Sequence, residues 1–106
     1  MNLYLLEPIQ MGYQTKIVGG ELVSEYISYP DNMGYKGRGY DTYDSVVVAA
    51  TSEEEAKSID PNTYSDKLEI WNTMWPGDTD YIKAYLIGTA AEGIRKGVVV
   101  ASFNAG

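Results

Sequence analysis

The chain has 106 residues, a formal net charge of −7 at pH 7, and neither cysteine nor histidine. Its length fits one domain with one hydrophobic core, and a hydrophobic content of 44% is enough to build that core. Without cysteine or histidine the chain has no disulfide, thiolate nucleophile, cysteine-ligated zinc or imidazole general base, which excludes most familiar enzyme mechanisms.

The first part of the chain is predicted to form β-strands. Residues 3–6 have the composition of a short strand that ends at Pro8. Further on, two β-rich runs flank Gly19 and Gly20, and two glycines can adopt the positive φ angles of a tight turn. We therefore predict a β-hairpin over residues 15–25 that projects from the main sheet.

The middle of the chain predicts a buried strand followed by a short helix. Residues 45–50, SVVVAA, are apolar on both faces, which is typical of a central strand. Ser52 is a candidate N-cap, and Glu55, three residues later, can form the reciprocal hydrogen bond of a capping box. The Asp-Pro pair at 60–61 is expected to end the helix after about two turns. The apolar residues expected to face the sheet are Ala56 and Ile59.

Two features of this region have both a structural and a functional interpretation. Glu53 and Glu54 complement the positive end of the helix dipole, or they form an acidic patch for a partner. Trp71 and Trp75 close one end of the core, or they are exposed anchors at a binding surface, where tryptophan is enriched.

The last part of the chain predicts two more strands. Between residues 81 and 87 apolar and polar side chains alternate, so Ile82, Ala84 and Leu86 should share the buried face. Residues 98–101 form the last strand, which we expect to pair with the strand before it. The predicted fold is α+β: a mainly antiparallel sheet of about four core strands, one short helix and an inserted hairpin.

A long loop is predicted over residues 29–39. The stretch GRGYDTYDS, residues 37–45, begins within the last residues of this loop. Asp41 and Asp44 could ligate a divalent cation, although the stretch lacks the other positions of a calcium loop. Alternatively, Asp41 fixes a turn ahead of the central strand. A third interpretation is a site for a small anionic ligand, formed by cations and aromatic rings: Lys36, Arg38, Tyr40 and Tyr43.

The stretches GYDTYDSVVVAA (39–50), SEEEA (52–56) and VVVASFNAG (98–106) resemble a family of small uncharacterised proteins encoded by tailed phages and prophages. The likeness also includes residues 3–6 and covers more than half of the chain. Residues from about 9 to 38 look like an insertion relative to that family. The family brings no established catalytic residues, so the resemblance implies none here. We expect neither a cofactor nor a bound metal.

The resemblance implies a non-enzymatic accessory protein in the cytoplasm of an infected bacterium. It would bind and inhibit a host protein, such as a CRISPR nuclease complex of antiviral defence. The acidic chain would dock on a basic surface of that host protein. We expect no membrane association and no direct nucleic-acid binding. The alternative is a sponge for a nucleotide-like anion at the loop. The expected partner-binding residues are Glu21, Glu25, Asp31, Glu53, Glu54, Trp71 and Trp75.

Overall fold

The computed structural model describes residues 1–30, 35, 37, 42–61 and 75–104. These residues form an α+β fold, as the sequence predicted, and no helix among them is long and apolar enough to cross a bilayer. The elements are β1 (Asn2–Pro8), β2 (Gly12–Val18), β3 (Glu21–Ile27), β4 (Thr42–Ala50), α1 (Glu53–Lys57), a 3₁₀ turn (Thr79–Tyr81), β5 (Ile82–Thr89) and β6 (Gly97–Asn104).

Four antiparallel strands form the main sheet in the order β5-β1-β4-β6. The expectation that the last strand pairs with the one before it is wrong, because β6 pairs with β4 at the opposite edge from β5. Pairing β6 with β5 would have left β4 as an edge strand. A long apolar edge such as residues 45–50 is prone to aggregation, whereas the observed order gives β4 hydrogen-bonding partners on both sides.

The hydrophobic core lies between one face of this sheet and α1. Leu6 pairs with Val46 on one side and Ala84 on the other, and it is fully buried. Ala56 and Ile59 are buried over this face, as predicted. The described core cluster consists of Tyr4, Leu6, Tyr43, Val46, Val48, Ala50, Ala56, Ile59, Trp75 and Ile82.

The short helix begins with the predicted cap. The Ser52 hydroxyl accepts a hydrogen bond from the Glu55 backbone N–H at 3.1 Å. The Glu55 carboxylate, however, reaches one residue further back than a capping box does, and accepts from the Thr51 backbone N–H at 2.9 Å. The helix is also shorter than two turns, with five residues, and Ser58 is its C-cap.

Strand β5 follows the predicted alternation only at its beginning. Ile82 is buried and Ala84 is half-buried, but Leu86 is exposed. The reason is its position, since β5 is an edge strand and the register shifts beside Leu86: Tyr4 pairs with Leu86 while Leu3 pairs with Gly88. A bulge at a sheet edge turns side chains away from the core, and the sequence pattern does not show it.

The hairpin is confirmed and forms a separate two-stranded sheet, β2-β3. Val18 pairs with Glu21 across the turn, and Gly19 and Gly20 have φ angles of +59° and +86°. Positive φ at both central residues is what a type I′ turn requires, and its twist matches the twist of the flanking strands. The turn therefore fixes the register of the hairpin and decides which side chains share a face.

Candidate protein-binding surface

The hairpin is attached to the main sheet at its base. The Ile9 backbone N–H donates to the Tyr81 carbonyl at 2.8 Å, and the Tyr29 hydroxyl donates to the Ile9 carbonyl. The Tyr29 ring also packs against two other tyrosine rings, with centroid distances of 4.9 Å to Tyr35 and 5.3 Å to Tyr81. These contacts hold both ends of the hairpin close to the start of β5.

Beyond this base, the hairpin extends into solvent. Within the described ranges β2 and β3 pair with each other and with no third strand, and the core cluster takes no side chain from them. Almost all of their side chains are exposed, on both faces of the ribbon. An isolated two-stranded hairpin is only marginally stable in water, so its exposed faces are candidates for binding another molecule.

One face of the hairpin is apolar and aromatic. Residues that are directly paired in an antiparallel ribbon point to the same side, which places three pairs on this face: Tyr13 with Tyr26, Thr15 with Ser24, and Ile17 with Leu22. The two tyrosine rings make an edge-to-face contact with centroids 5.1 Å apart. Exposed fractions are 77% for Tyr13, 58% for Tyr26, 73% for Ile17 and 76% for Leu22. We call these six residues the apolar face.

The opposite face of the hairpin is more polar. It carries the pairs Gln14 with Glu25, Lys16 with Val23, and Val18 with Glu21, and we call these six residues the polar face. Two of the predicted partner-binding residues, Glu21 and Glu25, therefore lie on the same side of the ribbon and are both exposed. Lys16 Nζ lies 3.1 Å from the Glu25 carboxylate and offsets part of its charge.

The other acidic residues expected to bind a partner lie on α1. Glu53 and Glu54 are exposed in the first turn, where they also complement the helix dipole. Lys57 Nζ approaches the Glu53 carboxylate at 3.8 Å, which is a weak surface ion pair. Both the structural and the partner-binding interpretation remain compatible with these positions.

Glu55, beside them, has a structural role in its ionised form. Its carboxylate accepts the Thr51 backbone N–H, and this hydrogen bond lowers the pKa of Glu55 below its usual value. The Thr51 hydroxyl and the charge of Lys96, 3.9 Å away, act in the same direction.

Two aromatic residues with predicted binding roles lie in the core instead. Trp75 is 3% exposed, so it closes the core and is not available as an exposed anchor. Tyr43, predicted to line an anion site, is 8% exposed and packs edge-to-face on Trp75 with a centroid distance of 6.4 Å. Their contact removes two large apolar rings from water. It joins residues that are far apart in the chain.

The remaining predicted site residues lie outside the described part of the chain: Asp31, Lys36, Arg38, Tyr40, Asp41 and Trp71. The anionic-ligand site, the Asp41 turn and the cation site therefore stay predictions. Among the residues that the structure does describe, no three acidic side chains are grouped closely enough to hold a metal ion.

The apolar face is a feature that the sequence interpretation missed. Its signal is an alternation of period two, with Tyr13, Thr15 and Ile17 on β2 and the matching residues on β3. No family model matches the chain, and no curated protein or solved structure is significantly similar to it.

Proposed function

We propose that the protein is a non-enzymatic accessory protein that binds and blocks a host protein. The observation that carries this proposal is the projecting hairpin, whose side chains are exposed on both faces and add nothing to the described core. Ordering a residue costs on the order of 1 kcal/mol in backbone entropy. An ordered ribbon that buries little in its own chain is better explained by contacts with another protein.

The charge of the chain suggests the chemistry of the target. Net charge is −7, and Glu21 and Glu25 are exposed on the polar face while Glu53 and Glu54 are exposed on α1. Such a surface is attracted to a basic protein surface, and this attraction raises the rate of association. Proteins that bind nucleic acid present basic surfaces, and an acidic protein can cover them.

The expected target class comes from the resemblance to small phage proteins. A component of antiviral defence, such as a CRISPR nuclease complex, has a basic channel for nucleic acid. A phage benefits when such a component is blocked. The proposed mechanism is occlusion: the polar face lies on the basic surface of the target and excludes its nucleic acid.

A plaque assay with a matched charge reversal tests the proposal. Bacteria whose CRISPR nuclease targets a phage are given the chain, and the wild type should restore plaque formation. Glu21→Lys should lower plating by at least about tenfold, because it reverses a charge at the proposed contact. Glu92→Lys makes the same charge change at an exposed residue outside the hairpin and should leave plating unchanged.

A binding measurement on the purified nuclease complex separates contact from other effects. Affinity should fall as salt rises from about 50 to 300 mM, since the screening length between exposed charges shortens from about 14 Å to about 6 Å over this range. Docking through the polar face would be contradicted if Glu21→Lys and Glu92→Lys lowered the affinity equally. It would also be contradicted if the affinity did not change with salt concentration. Failure of the wild type to relieve interference would contradict the choice of this target.

A further inference from the structure

The apolar face requires a different occupant from the polar face. Its six residues carry no charge, and its four large side chains are mostly exposed. We propose that it is covered by a second copy of the chain, so that two hairpins pack face to face in a symmetric dimer. This inference does not depend on the identity of any host protein.

The exposed area of the face is large enough for such a dimer. The exposed parts of Tyr13, Tyr26, Ile17 and Leu22 amount to about 500 Å² per copy, near the upper end of the largest apolar patches on monomeric proteins. Two such faces in contact bury about 1,000 Å² in total, which reaches the lower bound for a specific interface.

The arrangement of side chains on the face is self-complementary. Tyr13 and Tyr26 form one row near the base, Ile17 and Leu22 form another near the turn, and a row of two small residues lies between them. Successive rows are about 7 Å apart along the strands. Consider a two-fold axis that lies between the two faces and runs parallel to the central rows. It brings the tyrosines of each copy over the aliphatic row of the other. Sheets that stack face to face are separated by about 10 Å.

Charge supports a second copy on this face and opposes one on the other. Stacking two apolar faces buries no charged group, and Glu21 and Glu25 stay on the outer side. Stacking two polar faces would bring like carboxylates together. The net charge of −7 on each copy still repels the other copy over distance, so salt should strengthen the dimer. This is the opposite of the salt dependence expected for binding to a basic host protein.

Sedimentation equilibrium of the full chain tests the inference. We expect a reversible monomer–dimer equilibrium over protein concentrations from about 1 to 500 μM, with tighter association in 300 mM than in 50 mM NaCl. The double variant Ile17→Ser with Leu22→Ser should weaken association at least about 100-fold, since it removes the aliphatic row from each copy. The control Val18→Ser with Val23→Ser replaces two aliphatic residues of the polar face by serine and should leave the monomer–dimer equilibrium unchanged.

Chemical cross-linking gives a second readout that leaves the large side chains of the apolar face intact. The chain has no cysteine, so Thr15→Cys introduces a single thiol in the central row of the apolar face. A short bismaleimide should join two such chains near the two-fold axis, whereas Gln14→Cys, on the polar face, should give little product. A chain that is monomeric throughout, equal loss with both double variants, or equal cross-linking at both positions would overturn the proposal. The same holds if the apolar-face variant loses only host-protein binding.

Discussion

Truncation of Leu6 is the most direct test of the core. Leu6 is fully buried in an inner strand between Val46 and Ala84. Leu6→Ala removes three carbon groups, a loss of about 2.4 kcal/mol of transfer free energy at about 0.8 kcal/mol each. Paired strands on both sides limit collapse of the cavity, which brings the expected loss in unfolding free energy to about 3–4 kcal/mol.

Urea unfolding measures this loss. With a slope of about 1.5 kcal/mol per M, a loss of 3 kcal/mol lowers the urea midpoint by about 2 M. Tryptophan emission, to which the core residue Trp75 contributes, and far-UV circular dichroism should report the same midpoint. Protein concentration is kept low and constant, because self-association would add to apparent stability.

Leu86→Ala is the matched control for Leu6→Ala. It makes the same substitution in the same sheet at a side chain that is 64% exposed, and it should lower the unfolding free energy by less than about 1 kcal/mol. The reasoning fails if the midpoint of Leu6→Ala falls no further than that of Leu86→Ala. Such a result would mean that β1 is not an inner strand of the core.

Three further predictions concern local features. Ser52→Ala removes the N-cap of α1 and should cost about 1 kcal/mol in thermal unfolding; an unchanged melting temperature would refute the role of the cap. The pKa of Glu55 is lower in the folded chain, so its stabilising contribution is present above its unfolded pKa and is lost as pH falls through the folded pKa. Glu55→Gln should therefore lose less stability than the wild type between about pH 5 and pH 3, and parallel curves would contradict this. Gly20→Ala places a side chain at a φ of +86° and should speed amide hydrogen exchange in β2 and β3 while leaving β1 and β4 protected; equal protection of the hairpin would count against the turn.

Features set by neighbouring residues in the chain were predicted well. The glycine pair placed the hairpin, Ser52 placed the start of α1, and the apolar run at 45–50 placed an inner strand. Each depends on backbone preferences or hydrogen bonds within a few residues, which a sequence shows directly. The period-two alternation on the hairpin was equally local, and it could have predicted the apolar face.

Features set by distant residues were not predictable in the same way. Trp75 could lie on the surface or in the core, and its contact with Tyr43 places it inside. The sequence allows both positions for this side chain, and only a contact from elsewhere in the fold distinguishes them.

The sequence by itself determined the class of fold, the hairpin and the position of its turn, and the net negative charge of the chain. Tertiary structure decided the neighbour of β6, because every strand could pair with several others, and in the observed order β6 covers the edge of β4 that β1 leaves open. It also decided that the hairpin stands apart from the core, which leaves the apolar face exposed. Whether an alternating ribbon is buried depends on what packs against it, and strand periodicity carries no information about that neighbour.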